Sequence, residues 1–271
     1  MQILSEAIVN QVIQPRQQMT HKGNFGRVLI VGGNAHFGGA AIIAASAAVY
    51  AGAGLVTVAT DSHNHAPLHA RLPEAMVIDI QRSDLIDAVH RATVVVIGPG
   101  LGDDEVTLER VLSAVTAQQT LVIDGSAITL YGANQSALPQ AHIIWTPHQM
   151  EWQRLSGIAV ADQTPETSAA AAAKLPGIVV AKSHRTMIFD DTDSYQNPIG
   201  SAALATGGSG DTLAGIIGAF NAQFGAHVTS TLAAVYAHSD ISDQLAKTQF
   251  VTLPTAIIAQ LPQYMALHAS K

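Results

Sequence analysis

Short apolar runs alternate with longer stretches of mixed polarity along most of the chain. The plainest block is Val28 to Thr60, which carries no Asp, Glu, Lys or Arg. That is long enough to cross a bilayer, but Gly32, Gly33, Gly38, Gly39, Gly52 and Gly54 divide it into a β-branched piece, an Ala-rich piece and a second β-branched piece. VLIVGG predicts a buried strand, Ala40 to Ala51 a small-residue helix and LVTVAT the next strand, so the block is a βαβ unit rather than a membrane span. Further apolar runs at Val94 to Ile97, Leu121 to Ile123, Ile143 to Trp145 and Ile178 to Ala181 predict strands apolar on both faces. Such strands belong in a sheet covered by helices on both sides.

Helical patterns fall between them, at Leu85 to Arg91, Glu105 to Gln118, Met150 to Ser156 and Thr164 to Lys174. After a short β segment at Thr186 to Asp190 the chain turns helical, from Asp211 through His238 and again near Ala256 to His268. The class is α/β with a mostly parallel central sheet. No Gly/Ser linker, heptad array or fixed-period repeat divides the 271 residues, so residues 1–271 are expected to form one domain.

Composition narrows the function. Apolar residues make up 48% and charged residues 12%, and the mean hydropathy is +0.25, which excludes a disordered chain. A formal charge of −7 disfavours broad adhesion to nucleic acid or anionic lipid and still permits a local phosphate site. The absence of cysteine removes disulfides, thiolate metal sites and thiol nucleophiles together. With MQILSEAIVNQVIQPR at the start, polar and mildly amphipathic, no leader or membrane anchor is expected and the location is expected to be cytoplasmic.

Ligands of such sheets bind beyond the carboxyl ends of the strands, so the turns there matter most. GGNAHFGGAA, Gly32 to Ala41, is either a tight packed turn or an anion-binding helix start; it lacks the GxGxxG spacing and closing acid of a dinucleotide site. IGPGLG, Ile97 to Gly102, makes a rigid bend with exposed backbone donors. Asp124 in LVIDGSA could hold Mg²⁺ through water, hold a substrate hydroxyl, or cap the following turn. His148 in WTPHQME could bond or stack on a ligand, or be a solvated imidazole, and has no companion at metal-ligand spacing. The strongest signal is LATGGSGDTLAGIIGAF, Leu204 to Phe220. Here Gly207, Gly208, Ser209 and Gly210 offer amides at the positive end of an apolar helix, and Asp211 stands beside them as a candidate general base for a hydroxyl attacking phosphorus. The remaining histidines are scattered and read as solvated, and Trp145, Trp152 and Tyr50 as core or interface residues.

The glycine loop has no Lys after its glycines and so is not a P-loop. A glycine-rich loop followed by an aspartate that opens a late helix resembles the ribokinase-like superfamily. The turns together, with HKGNFGRVLIVGG from His21 to Gly33, resemble the NAD(P)H-hydrate dehydratase family. That resemblance implies a ribokinase-like fold and an enzyme that restores NADH or NADPH from the form hydrated at C6. ADP, or ATP in some members, would donate a phosphoryl group with Mg²⁺ present. It also implies a tetramer and a functional pairing with an NAD(P)H-hydrate epimerase. Asp211 matches the family's base and substrate contact. Ala41, Gly100 and His148 match residues lining the hydrated nicotinamide pocket. Lys182, Ser183, His184, Arg185 and Thr186, with Gly207 to Gly210, match the nucleotide segment and anion hole. The chain departs from the family pattern at Ser183, Gln149-Met150, Ser201 and Gly125-Ser126. The metal ligands are not identified by the sequence. Two other functions use the same loop: a ribokinase-like kinase for a vitamin precursor of the hydroxymethylpyrimidine or hydroxyethylthiazole type, and a nucleotide-binding sensor without turnover.

Overall fold

Every side chain of Val94–Ile97 is buried, as a strand flanked by strands and covered on both faces must be. The computed structural model describes residues 1–269. In chain order the strands are β1 Gln2–Ile3, β2 Arg27–Val31, β3 Leu55–Thr60, β4 Met76–Asp79, β5 Val94–Ile97, β6 Thr120–Ile123, β7 His142–Trp145, β8 Ile178–Ala181, β9 Met187–Phe189 and β10 Ser194–Gln196. They form one ten-stranded sheet in the order β1-β10-β9-β8-β7-β6-β5-β2-β3-β4. All neighbours pair parallel except β9, which runs antiparallel to both β8 and β10. Val28 pairs with Val56 on one side and Val94 on the other. From β2 the chain moves outward through β3 and β4, then returns to lay β5 against the other edge of β2. The crevice between β2 and β5 is therefore the topological switch point of the sheet.

Strand side chains alternate between two cores. Val28, Ile30, Val94 and Val96 face the helices Gly38–Tyr50, Ser209–Phe224, Val228–Ala246 and Pro254–Ala269. Leu29, Val31, Val95 and Ile97 face the other layer, which includes Asp84–Arg91, Glu105–Ala114 and Gln149–Ser156. The first layer depends on small residues. A Cβ on Gly215 would lie 2.1 Å from the Ala44 carbonyl oxygen, and one on Gly218 would lie 2.8 Å from Val96 Cγ2. Glycine costs helix stability at such positions, and here it is what lets Ser209–Phe224 touch both the neighbouring helix and the sheet.

The expected strands and most helices are present. Glu105–Ala114 ends short of Gln118, because Val115 is extended and the Gln119 side chain accepts the Thr116 amide in a turn. The helical stretch expected from Asp211 through His238 is made of two helices, Ser209–Phe224 and Val228–Ala246, separated where Gly225 takes φ 93°. The opening signature HKGNFG packs the entry to β2: His21 Nδ1 accepts the Gly23 amide, and the Gly54 and Leu55 amides donate to Phe25 and Gly26. Trp145 and Trp152 are core residues whose indole N–H groups reach the Pro176 carbonyl and Ser168 Oγ. The histidines are not all solvated: His238 and His268 are buried. Among the described residues, no helix is long and apolar enough to cross a membrane.

Candidate active site

The turns after β2 and β5 interlock. The Gly33 and Asn34 amides donate to the Pro99 and Gly100 carbonyls, each at 2.8 Å. Cβ atoms on Gly32, Gly38 and Gly98 would collide with Pro99 O, Asn64 Oδ1 and Asp124 O at 2.1, 1.9 and 1.7 Å. Packing thus explains most glycines of these turns, and the first turn is the tight packed kind. Gly39 is different, since nothing lies within 4 Å of its Cβ position. Ala41 is fully buried, and its Cβ would crowd a side chain on Gly33. Gly100, at φ 64°, lies against Phe37.

Gly208, at φ 90°, precedes the helix Ser209–Phe224, and no side chain caps that helix start. Thr212 Oγ1 turns back to the Gly208 carbonyl at 2.9 Å. The first-turn amides are therefore of the kind a phosphate satisfies. Gly207 is exposed with open space at its Cβ position, whereas a Cβ on Gly210 would meet Lys182 Nζ at 3.2 Å. The ammonium of Lys182 thus stands against the glycine loop.

Lys182 is held there from the strand side. Its amide donates to the Pro147 carbonyl at 2.8 Å, and its Nζ donates to Asp124 Oδ1 at 2.8 Å. Thr146 Oγ1 donates to that same Oδ1 at 2.7 Å. Asp124 therefore does not cap the helix Gly125–Asn134, although it occupies the position before it and makes no side-chain cap bond. Its two donors both fall on Oδ1, which leaves Oδ2 for water or a hydrated cation. Sequence reading missed the Asp124–Lys182 pair; the partners are 58 residues apart and only the sheet order brings the ends of β6 and β8 together.

Charge is concentrated in this pocket. Burial, then the nearby Asp124 carboxylate, pushes the Asp211 carboxyl up to about 6 against the opposing pull of Lys182. Burial pushes Glu151 up to about 7, with Lys182 opposing and Asp124 adding. Burial pulls the Lys182 ammonium down, but Asp124, Glu151 and Asp211 outweigh it and hold it above its ordinary value. A carboxylate that titrates near neutrality beside a fixed cation is the arrangement a general base requires.

His148 opens the helix Gln149–Ser156. Its Nδ1 accepts the Met150 and Glu151 amides at 3.1 and 3.3 Å, while Glu151 Oε2 accepts the His148 amide at 2.8 Å. Nε2 lies 3.2 Å from Glu151 Oε1 on a half-exposed ring. Burial, then Lys182, lowers the imidazole pKa, and His148 serves as the cap of this helix on a half-exposed ring. Ser183 to Thr186 form the turn between β8 and β9. Ser183 Oγ donates to the Arg185 carbonyl at 2.8 Å and accepts the Arg185 amide at 3.2 Å, and Arg185 Nη1 reaches the Gly200 carbonyl at 3.1 Å. Ser183 locks this turn through its hydroxyl, and His184 is exposed at its tip. Ser201 caps the short turn Ala202–Leu204. The loop and Asp211, Lys182, Asp124, Glu151 and His148 therefore form one cluster, whereas Ala41 and Gly100 belong to the interlocked turns after β2 and β5.

The family model described as NAD(P)H-hydrate dehydratase matches residues 28–263. The chain is 52% identical to a Lactiplantibacillus plantarum protein named ADP-dependent (S)-NAD(P)H-hydrate dehydratase, over 98% of this chain and 97% of that one. A ribokinase-like superfamily protein from Enterococcus faecalis superposes with a TM-score of 0.97 at 47% identity, covering 100% of this chain and 97% of that one. The Bacillus subtilis ADP/ATP-dependent NAD(P)H-hydrate dehydratase co-crystallised with ATP and Mg²⁺ superposes with a TM-score of 0.88 at 25% identity, covering 98% of each chain. The fold is ribokinase-like, and this chain belongs to the NAD(P)H-hydrate dehydratase family.

Proposed function

We propose that this chain is an ADP-dependent (S)-NAD(P)H-hydrate dehydratase, with residues 1–271 working as one ribokinase-like domain. The observation that carries the reading is Asp211, a half-buried carboxylate of raised pKa at an uncapped, glycine-lined helix start with Lys182 against it. Asp211 takes the proton of the C6 hydroxyl, and that oxygen attacks the terminal phosphorus of ADP. The bond to the AMP oxygen breaks, while the Gly207 to Gly210 amides and Lys182 hold the charge that gathers on the transferred group. The C6–O bond then breaks with its electrons leaving on phosphate, the N1 lone pair closes a double bond to C6, and loss of a C5 proton restores the dihydronicotinamide. Phosphate leaves far more readily than hydroxide, which is what the donor contributes.

Ala41, Gly100 and His148 line the hydrated ring, and Ser183 to Thr186 lie along the AMP portion. Among the described residues no three acidic or histidine side chains converge on a metal cage. Asp124, whose Oδ2 takes neither of the two donors on Oδ1, would be the residue to hold a hydrated Mg²⁺ arriving with the nucleotide, and the ion would supply neutralisation of phosphate charge. The Mg²⁺ requirement, the cytoplasmic location, the tetramer and the pairing with an epimerase belong to the same proposal, on the strength of the family.

The test mixes the purified chain with hydrated NADH and ADP. Recovery of the reduced-nicotinamide absorbance, with AMP and phosphate formed in equal amounts, is the expected result. A stable phosphomonoester would make the chain a vitamin-precursor kinase instead, and no turnover with undiminished nucleotide binding would make it a sensor.

A further inference from the structure

We infer that the chain has a second ligand site, a cavity on the side of the strands' amino ends that takes a small organic anion with an aromatic body. The inference stands apart from the dehydratase reading. The cavity holds about 970 Å³, within the range that encloses a small molecule. Tyr50 and Phe224, which close the helices Gly38–Tyr50 and Ser209–Phe224, line it together with Phe25 before β2 and Thr229 at the start of Val228–Ala246. Asp211 stands toward the other end of Ser209–Phe224, roughly 18 Å along the helix from Gln223. The exposed Gln14 and Gln17 also border the cavity, so solvent reaches it.

Walls and charge together define the occupant. Phe25, Tyr50 and Phe224 bring three aromatic rings to the cavity, which suits a flat ring system. Among the described residues that line it there is no Asp, Glu, Lys or His, and Arg16 carries the one charge. That guanidinium lies 3.8 Å from the centre of the Phe25 ring, a cation held over a ring face. Its Nη2 donates to the Gly52 carbonyl and, at 3.1 Å, to Gln223 Oε1. Both acceptors are neutral. Among the described residues Arg16 makes no ion pair, and its Nε and Nη1 make no hydrogen bond. Partial burial lowers its pKa, with no carboxylate to offset the effect. In a chain of net charge −7, a cation fixed at an apolar cavity without a counter-charge, with donors still open, is a place for an anion.

The experiment titrates the full chain with anilinonaphthalene sulfonate, an aromatic anion whose emission rises in apolar surroundings, and with its uncharged counterpart N-phenylnaphthylamine. One equivalent of the sulfonate should bind, more tightly than the amine, raise the melting temperature and stay in place at saturating ADP. Arg16→Gln should weaken the sulfonate by roughly tenfold and leave the amine unchanged. Thr229→Trp, which fills the cavity from its helix side, should abolish binding of both. Equal affinity for sulfonate and amine overturns the inference, as does an unaltered sulfonate affinity in a folded Arg16→Gln chain. Displacement by ADP also overturns it, since the probe would then sit in the candidate active site. No saturable binding overturns it as well; if Thr229→Trp then lowers the sedimenting mass, this face is a contact between copies of the chain.

Discussion

The two faces of the sheet are built by opposite rules. On one face, Gly38–Tyr50 and Ser209–Phe224 approach each other through alanine and glycine, so that a single added carbon at Gly215 would strike backbone. On the other, Leu108, Val111, Tyr131, Trp145 and Trp152 fill the space with bulk. The proposed phosphoryl chemistry sits at the end of the close-packed face. A helix start can present its amides to a ligand at the strand ends only if the helix lies close over the sheet, and small residues are what allow that. On the bulky face the helices Glu105–Ala114, Gln149–Ser156 and Pro165–Ala172 start on ordinary side-chain caps, such as Asp104 accepting the Thr107 amide at 2.9 Å.

The largest effect that sharpens this contrast is on rate. Asp211→Asn should lower kcat by roughly 10²- to 10⁴-fold with the fold intact by circular dichroism, whereas Glu109→Gln, on an exposed helix position of the other face, should leave kcat unchanged. Equal rates for Asp211→Asn and wild type would remove the functional half of the comparison. For stability, Leu108→Ala should cost about 2–5 kcal/mol by leaving a cavity, and Gly215→Ala about 1–3 kcal/mol by overpacking, both from urea titration. If Gly215→Ala were stabilising, as helix propensity alone requires, the close-packed face would not be as tight as described. Smaller still is Thr146→Val, which removes one of the two donors to Asp124 Oδ1 and should cost about 1 kcal/mol.

The pH dependence joins the two faces at the site, since one titrating carboxyl comes from a helix of each. Asp211, near 6, and Glu151, near 7, both bind their protons more tightly in the folded chain than an ordinary carboxylate does. Their contribution to stability is therefore fully present below the ordinary carboxylate range and is lost as pH rises through about 6 and about 7. Turnover should move the other way, falling as pH drops below about 6, because the base must be unprotonated. Asp211→Asn should then melt higher than wild type at pH 8, a gain that disappears in acid; an unchanged melting difference across that range would contradict the burial assigned to Asp211.

Much of this was legible in the sequence where the physics is local. β-Branched apolar runs gave β2, β3 and β5 to β8, and the glycine loop with Asp211 announced a helix start suited to an anion. The edge strands β1 and β4, and β10 beside β1, were not legible: they are exposed or only partly buried, and Ser194–Gln196 has no apolar run to read. The helix Gly125–Asn134 was read as a turn because Asp-Gly-Ser reads locally as one, and nothing nearby reveals that the Asp124 carboxylate faces Lys182 instead. Gly32, Gly38 and Gly98 look alike in sequence to Gly39 and Gly207, yet collisions explain the first three and open space surrounds the other two. Which glycines pack and which face a ligand is decided by the neighbouring strand, a fact of topology.

The central claim is the place where the donor's phosphates bind. A crystal structure of the chain with a non-hydrolysable ADP analogue tests it directly. The account predicts terminal phosphate oxygens within hydrogen-bond distance of the Gly207 to Gly210 amides, with Lys182 Nζ beside them and the Asp211 carboxylate facing the phosphorus. Phosphates seated on the Gly32 to Gly39 turn, or anywhere remote from Asp211, would contradict it.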